Sequence, residues 1–102
     1  MNSIKTEYDF AKHSINKANH IIEGLLNDIK ANLPQTSNAA QSDYKIAYEE
    51  SKGAYNAFIN SDVTDEQRKE LLVLLGKTQQ YMQELRKLLY NDIETTIVVS
   101  EN

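Results

Sequence analysis

Residues 64–94 read TDEQRKELLVLLGKTQQYMQELRKLLYNDIE, and this stretch decides the fold because its apolar side chains recur at helical spacing. Six of its residues, spaced alternately four and three positions apart, form one stripe along a helix: Leu71, Leu75, Thr78, Met82, Leu85 and Leu89. A second row widens this apolar face: Leu74, Tyr81 and Leu88. Most helical stability in proteins comes from burying such a face. We therefore expect a long helix that packs against more than one other helix.

Residues 3–33 carry the same spacing over a longer distance and predict the first helix of the chain. Its stripe mixes large and small side chains: Ile4, Tyr8, Ala11, Ile15, Ala18, Ile22, Leu25 and Ile29. We expect Asn2 or Ser3 to cap the beginning of this helix. Pro34 ends it, because proline disfavours helical dihedral angles in the residue that precedes it.

Residues 38–60 predict a second helix with smaller side chains on its stripe: Ala40, Tyr44, Ala47, Ser51, Ala54 and Phe58. We expect it to pack closely against the other two helices, although Gly53 in its interior costs about 1 kcal/mol relative to alanine. Residues 61–64 then break the pattern. Thr64, followed three positions later by Gln67, is the signature of a capping box that begins the third helix.

Three amphipathic helices joined by short connections predict an all-α fold, an antiparallel three-helix bundle in up-down-up order. We expect residues 1–94 to form one domain with this core: Ile4, Tyr8, Ile15, Ile22, Leu25, Ile29, Tyr44, Ala47, Phe58, Leu71, Leu75, Met82, Leu85 and Leu89. Residues 95–99 are β-branched and follow no helical period. We therefore expect residues 95–102 to form a short, non-helical C-terminal tail.

The composition argues against several classes of function. A net charge of −4 and a pI near 5.1 disfavour nucleic acid as the partner. The chain has no cysteine, which excludes disulfides and thiolate metal sites. Its longest apolar run, residues 71–75, is far shorter than the roughly 20 residues of a membrane span. Its first residues have no apolar signal-peptide core. We expect a cytoplasmic protein, and export without a signal peptide stays open.

Few residues of the chain are suited to catalysis or to metal binding. His13 and His20 lie opposite the Ile15 and Ile22 stripe, so we expect both to be exposed. Only His20 and Glu23 have the three- or four-residue spacing that metal ligands on a helix require. The chain contains three glycines and no glycine-rich phosphate loop. We expect a protein that is not an enzyme and that holds no metal or other cofactor.

One short segment resembles the histidine phosphotransfer domains, which are helical bundles of similar size. In that family an exposed histidine is followed by lysine at the third position and glycine at the fourth. Here His20 is followed by Gly24 at the fourth position, while Glu23 stands in place of the lysine. The resemblance implies phosphoryl transfer through His20 as an alternative function.

A second segment resembles the export signal of the small helical proteins of type VII secretion. Tyr90 and Glu94 match its Tyr-x-x-x-Asp/Glu pattern, in a chain that is likewise short, acidic and free of cysteine. The family's Trp-x-Gly turn is absent, and the family has a two-helix hairpin where we predict three helices. The resemblance implies that the protein is a substrate or partner of such a secretion system.

The function we expect from the residues themselves is non-enzymatic protein binding, as in a small adaptor, inhibitor or immunity-type protein. Tyrosine is enriched at interfaces because it supplies contact area and a polar tip at low entropic cost. The β-branched segment near the C-terminus could add an apolar anchor. Unbroken heptads can also be satisfied by a second copy of the chain, so a homodimer stays open. We expect these residues to contact a partner: Tyr48, Tyr55, Tyr90, Glu94, Ile97, Val98 and Val99.

Overall fold

The computed structural model describes the backbone of residues 6–31 and 37–101 and the side chains of residues 6–31 and 38–89. The described residues form three α-helices: α1 (Glu7–Ala31), α2 (Ser37–Ile59) and α3 (Asp65–Glu101). The three helices pack against one another in a bundle that measures 62 × 25 × 18 Å. The three-helix bundle predicted from the sequence is therefore confirmed.

Contacts between the helices establish the up-down-up order. Tyr8 near the start of α1 hydrogen-bonds Glu70 near the start of α3, and Tyr81 further along α3 donates to Glu23 further along α1. α1 and α3 therefore run parallel. α2 runs in the opposite direction, because its last turns meet the first half of α1 while its first turns meet the second half.

Capping boxes fix where α1 and α3 begin. The Thr6 hydroxyl accepts a hydrogen bond from the backbone N–H of Asp9, and the Asp9 carboxylate accepts one from the backbone N–H of Thr6. α1 consequently begins at Glu7, later than the predicted start at Ser3; Asn2 and Ser3, the predicted caps, lie outside the described residues. Thr64 and Gln67 make the same reciprocal bonds, at 3.1 and 3.2 Å, as predicted for α3.

The core consists of two layers stacked along the bundle. The lower layer contains Ala11, Ile15, Ala18, Ala54, Leu71 and Leu75. The upper layer contains Ile22, Leu26, Ile29, Ala40, Ala47, Met82, Leu85 and Leu89. The small side chains of α2 recur every seven residues and let that helix lie close to the other two.

Most of the predicted core residues are buried, and the exceptions lie at its edge. Four of them are only partly buried, although they pack against one of the two layers: Tyr8, Leu25, Tyr44 and Phe58. Ile4 lies outside the described residues. The residue that replaces Leu25 at the centre of the upper layer is its neighbour Leu26. Leu25 and Leu26 both fit the apolar stripe. A helix repeats every 3.6 residues, so a residue three or four positions further along the chain lies on the same face.

A polar pair lies between the two layers. The buried Asn19 of α1 donates a hydrogen bond from Nδ2 to the Leu74 carbonyl at 3.1 Å, and its Oδ1 accepts one from the hydroxyl of Thr78. The Thr78 hydroxyl also lies 3.2 Å from the Leu74 carbonyl. Both side chains are therefore satisfied, as buried polar groups require.

The third helix is longer than predicted. Its backbone continues through the segment that we expected to be a non-helical tail and ends at Glu101. β-Branched residues cost only tenths of a kcal/mol each in a helix, and extending an existing helix gains a hydrogen bond per residue. The backbone of residues 90–101 is thus helical, while their side chains lie outside the description. Among the described residues, no helix has the length and apolar character needed to cross a membrane.

Candidate functional site

An open groove runs between α2 and α3 and follows from the way α2 is placed. The alanines of α2 point into the core. The adjacent face of the same helix carries residues at helical spacing, namely Tyr44, Tyr48, Ser51 and Tyr55. On α3 the matching face carries Leu75, Gln79, Met82 and Arg86. Small side chains in the core of α2 therefore place its tyrosines along the edge of the groove.

The first half of the groove is almost entirely apolar. It has a volume of about 620 Å³ and is lined by Ala40, Gln41, Tyr44, Lys45, Tyr48, Arg86 and Leu89. The rings of Tyr44 and Tyr48 meet edge to face, with centroids 6.3 Å apart and an interplanar angle of 82°. This arrangement is a favourable one for aromatic pairs and gives this wall of the groove a defined shape.

The second half of the groove is more polar and continues the first. It has a volume of about 480 Å³ and is lined by Tyr48, Ser51, Lys52, Tyr55, Leu75, Thr78, Gln79, Met82, Gln83 and Arg86. Tyr48 and Arg86 line both halves, so the two form one channel. From Ala40 to Tyr55 this channel follows α2 for about 22 Å, or roughly four helical turns.

The charged residues among the described lining of the groove are all positive. Lys45 and Lys52 line its α2 side and Arg86 its α3 side, while no carboxylate is among the described residues that line it. None of these three cations forms an ion pair with another described side chain. Beyond Tyr55, the guanidinium of Arg68 lies 5.7 Å from the centre of the Phe58 ring. These three groove cations therefore have no ion-pair partner among the described side chains, in a chain whose net charge is −4.

Two of the predicted partner-binding residues lie in this groove. Tyr48 and Tyr55 are 50% and 54% exposed, and both line its walls. The other five belong to the part of α3 whose side chains lie outside the description: Tyr90, Glu94, Ile97, Val98 and Val99. Sequence reasoning missed the remaining lining residues, of which Lys45, Lys52 and Arg86 could have been found from their helical spacing beside the apolar stripes.

Two other tyrosines have a different role, because each joins α1 to α3. The Tyr8 hydroxyl bonds the Glu70 carboxylate, and the Tyr81 hydroxyl lies 3.0 Å from the Glu23 carboxylate. In both cases the hydrogen bond to the carboxylate, together with burial, raises the pKa of the phenol above its ordinary value. Through these hydrogen bonds the two tyrosines join α1 to α3.

The two histidines are exposed on α1, as predicted from their position opposite the apolar stripe. Glu23, three residues after His20, accepts the hydrogen bond from Tyr81. Among the described residues, no three or more histidine or acidic side chains are grouped closely enough to hold a metal ion. The groove, by contrast, combines a concave shape with half-exposed aromatic side chains.

Comparison of the chain with protein-family models, with curated proteins and with solved structures found no significant match.

Proposed function

We propose that the protein is a non-enzymatic protein-binding module and that the groove between α2 and α3 is its binding surface. The observation that carries the proposal is the apolar channel between Tyr44 and Leu89, flanked by the half-exposed Tyr48 and Tyr55. Contiguous exposed apolar surface is unfavourable in water and is typical of an interaction site. Binding of this kind would serve an adaptor, an inhibitor or an immunity-type protein equally well.

The residue types in the groove support recognition of a protein. Tyrosine and arginine are the residues that most often contribute large shares of binding energy at protein interfaces. Leu89 and Met82 are largely buried and form the floor of the channel on the α3 side, so the exposed contact area comes mainly from Tyr48 and Tyr55. A partner that covers this channel would remove apolar surface from water, at about 25 cal/mol per Å².

Site-specific photocrosslinking in the native host tests the proposal. A photoreactive phenylalanine analogue placed at Tyr48 or Tyr55 should capture a partner as a discrete band that mass spectrometry can identify. The matched control carries the same analogue at Val73, which is 66% exposed on α3 and does not line the groove. Equal capture from Val73, or no capture from the two groove positions, would contradict the proposal.

A second experiment separates binding from folding. The Y48S/Y55S double variant should bind the captured partner at least tenfold more weakly, because it removes two aromatic contacts. Each substitution should lower the free energy of unfolding by about 0.5–1.5 kcal/mol, because both side chains are half-exposed and Tyr48 also loses its contact with Tyr44. Urea melts and a binding titration on the same preparations measure both quantities. Unchanged affinity in the folded double variant would show that the partner lies elsewhere.

A further inference from the structure

We infer that the ligand of the groove is an amphipathic α-helix of another protein, with an apolar stripe facing the channel and carboxylates along its edges. This inference rests on the proposed function and specifies the partner. The shape of the channel is the first argument. It is walled by two helices and extends for roughly four turns, which is the length of a typical protein helix.

The spacing of the lining residues provides the second argument. Tyr44, Tyr48, Ser51 and Tyr55 on α2 face Leu75, Met82, Arg86 and Leu89 on α3 at intervals of three, four and seven residues. Ridges with this spacing leave grooves that accept the side chains of another helix with apolar residues at three- and four-residue steps. The ligand would complete the bundle as a fourth helix.

The charge of the groove provides the third argument and specifies the chemistry of the ligand. Lys45, Lys52 and Arg86 line the channel without a carboxylate among its described lining residues and without ion pairs to other described side chains. Aspartate or glutamate on the flanks of the ligand would pair with these cations and would select against basic helices.

The same charges disfavour a second copy of this chain as the ligand. In a two-fold symmetric dimer through the groove, the same surface of each copy meets its counterpart. Lys45, Lys52 and Arg86 of one copy would then approach the same three cations of the other. Like charges brought together at an interface oppose binding.

A displayed library of sixteen-residue helical peptides tests the inference. Each peptide has a fixed apolar stripe at four- and three-residue steps, and its flanking positions are randomly glutamate or lysine. Selection against the intact protein should enrich peptides with glutamate on the flanks, and the affinity of the enriched peptides should fall as salt rises. Enrichment without a preference for glutamate would overturn the inference.

Charge reversal in the groove provides the matched control. The K45E/K52E/R86E variant should bind the selected acidic peptides at least tenfold more weakly and should instead enrich lysine-flanked peptides. K17E/K69E/K77E makes the same change in net charge at exposed positions outside the groove, and it should leave the glutamate preference intact. If the first variant fails to fold, K45Q/K52Q/R86Q should still lose the preference. Equal effects of the groove and control variants would overturn the inference.

Two further outcomes separate this inference from the proposed function. If photocrosslinking at Tyr48 captures a partner while the peptides show no charge preference, the groove binds a protein, but the inference that its ligand is an acidic helix is wrong. If sedimentation shows that the chain dimerises and that Y48S/Y55S abolishes the dimer, a second copy occupies the groove instead.

Discussion

The two surfaces that α3 presents to its neighbours differ in their chemistry. Toward α1 it makes polar contacts along the length of the interface: Tyr8 with Glu70, Asn19 with Thr78, Tyr81 with Glu23, and Lys30 with Glu84 at 2.7 Å. Toward α2 it meets alanines in the core and opens into the groove further out. Directional hydrogen bonds and an ion pair fix α1 relative to α3. Between α2 and α3, apolar and cationic groups face the solvent. The α1–α3 interface is thus held by directional bonds, while the α2–α3 interface combines core packing with the groove that we propose for recognition.

The largest expected effect concerns the buried side of α3. Leu85 is fully buried in the upper layer, so Leu85→Ala should lower the free energy of unfolding by about 2–5 kcal/mol. Val73→Ala should cost no more than about 0.5 kcal/mol, because Val73 is exposed. Urea melts measure both.

Combining Leu85→Ala with Leu75→Ala damages both layers of the core. A bundle of this size has about 5–10 kcal/mol of total stability. The double variant should therefore be largely unfolded at 37 °C, as judged by circular dichroism. If Val73→Ala were the costlier substitution, the buried face of α3 would have been assigned wrongly.

The second prediction breaks the polar link between α1 and α3. Asn19→Ala leaves the Thr78 hydroxyl without its partner on α1 and should destabilise the protein by about 1–3 kcal/mol. Replacing both partners with apolar residues, as in N19L/T78V, should restore most of this loss. Chemical melts of N19L, T78V and N19L/T78V form a mutant cycle. Additive effects would show that the two side chains do not act as a pair.

The third prediction strengthens α2 without changing the groove. Gly53 is exposed, and a Cβ placed there would meet no heavy atom within 4 Å. Gly53→Ala should therefore stabilise the protein by about 0.5–1 kcal/mol, because alanine is the better helix former. Thermal melts test the gain, and partner binding should be unchanged. A loss of stability would mean that the glycine is needed for a reason other than space.

The smallest expected effect is the response of the α1–α3 tyrosines to alkaline pH. Tyr8 and Tyr81 have raised pKa values in the folded state, chiefly because each donates a hydrogen bond to a carboxylate. Their contribution to stability is complete below the unfolded-state pKa of about 10 and is lost as pH rises through the higher folded-state pKa. Tyrosinate absorbance should therefore show a late ionisation that Y8F/Y81F removes. Y48F/Y55F keeps both Tyr–Glu pairs and should keep the late phase.

The helices were predictable because their signals are local. The steps of three and four residues identify the buried face of each helix, and the hydroxyl of Thr64 and the amide of Gln67 identify the start of α3 from four consecutive residues. The exchange of Leu25 for Leu26 in the core was not predictable, because both positions satisfy the helical repeat. Which of the two leucines is buried depends on how α1 is rotated against its two neighbours.

The polar pair and the groove depend on contacts between distant residues, so the sequence alone did not reveal them. Asparagine is usually a surface residue. Only the structure shows that Asn19 is buried and bonded to Thr78, which lies 59 positions further along the chain. Tyr48 and Tyr55 were predicted as interface residues from their type, but their shared channel with Arg86 required the packing of α2 on α3. The C-terminal end of α3 was missed because β-branched residues have weak helix propensity. That propensity does not take into account that a preceding helix can be extended through them.

The alanine row of α2 has a consequence for how this protein could change over time. Ala40, Ala47 and Ala54 set the distance between α2 and the rest of the bundle, whereas Lys45 and Lys52 set the charge along the outer edge. The two sets share a helix but no positions. Ala47 and Ala54 are buried, so enlarging either would overpack the core and push α2 outward at a cost of about 1–3 kcal/mol, whereas replacing one lysine would change the charge along the groove. The position of α2 and the charge along the groove can therefore change independently during evolution.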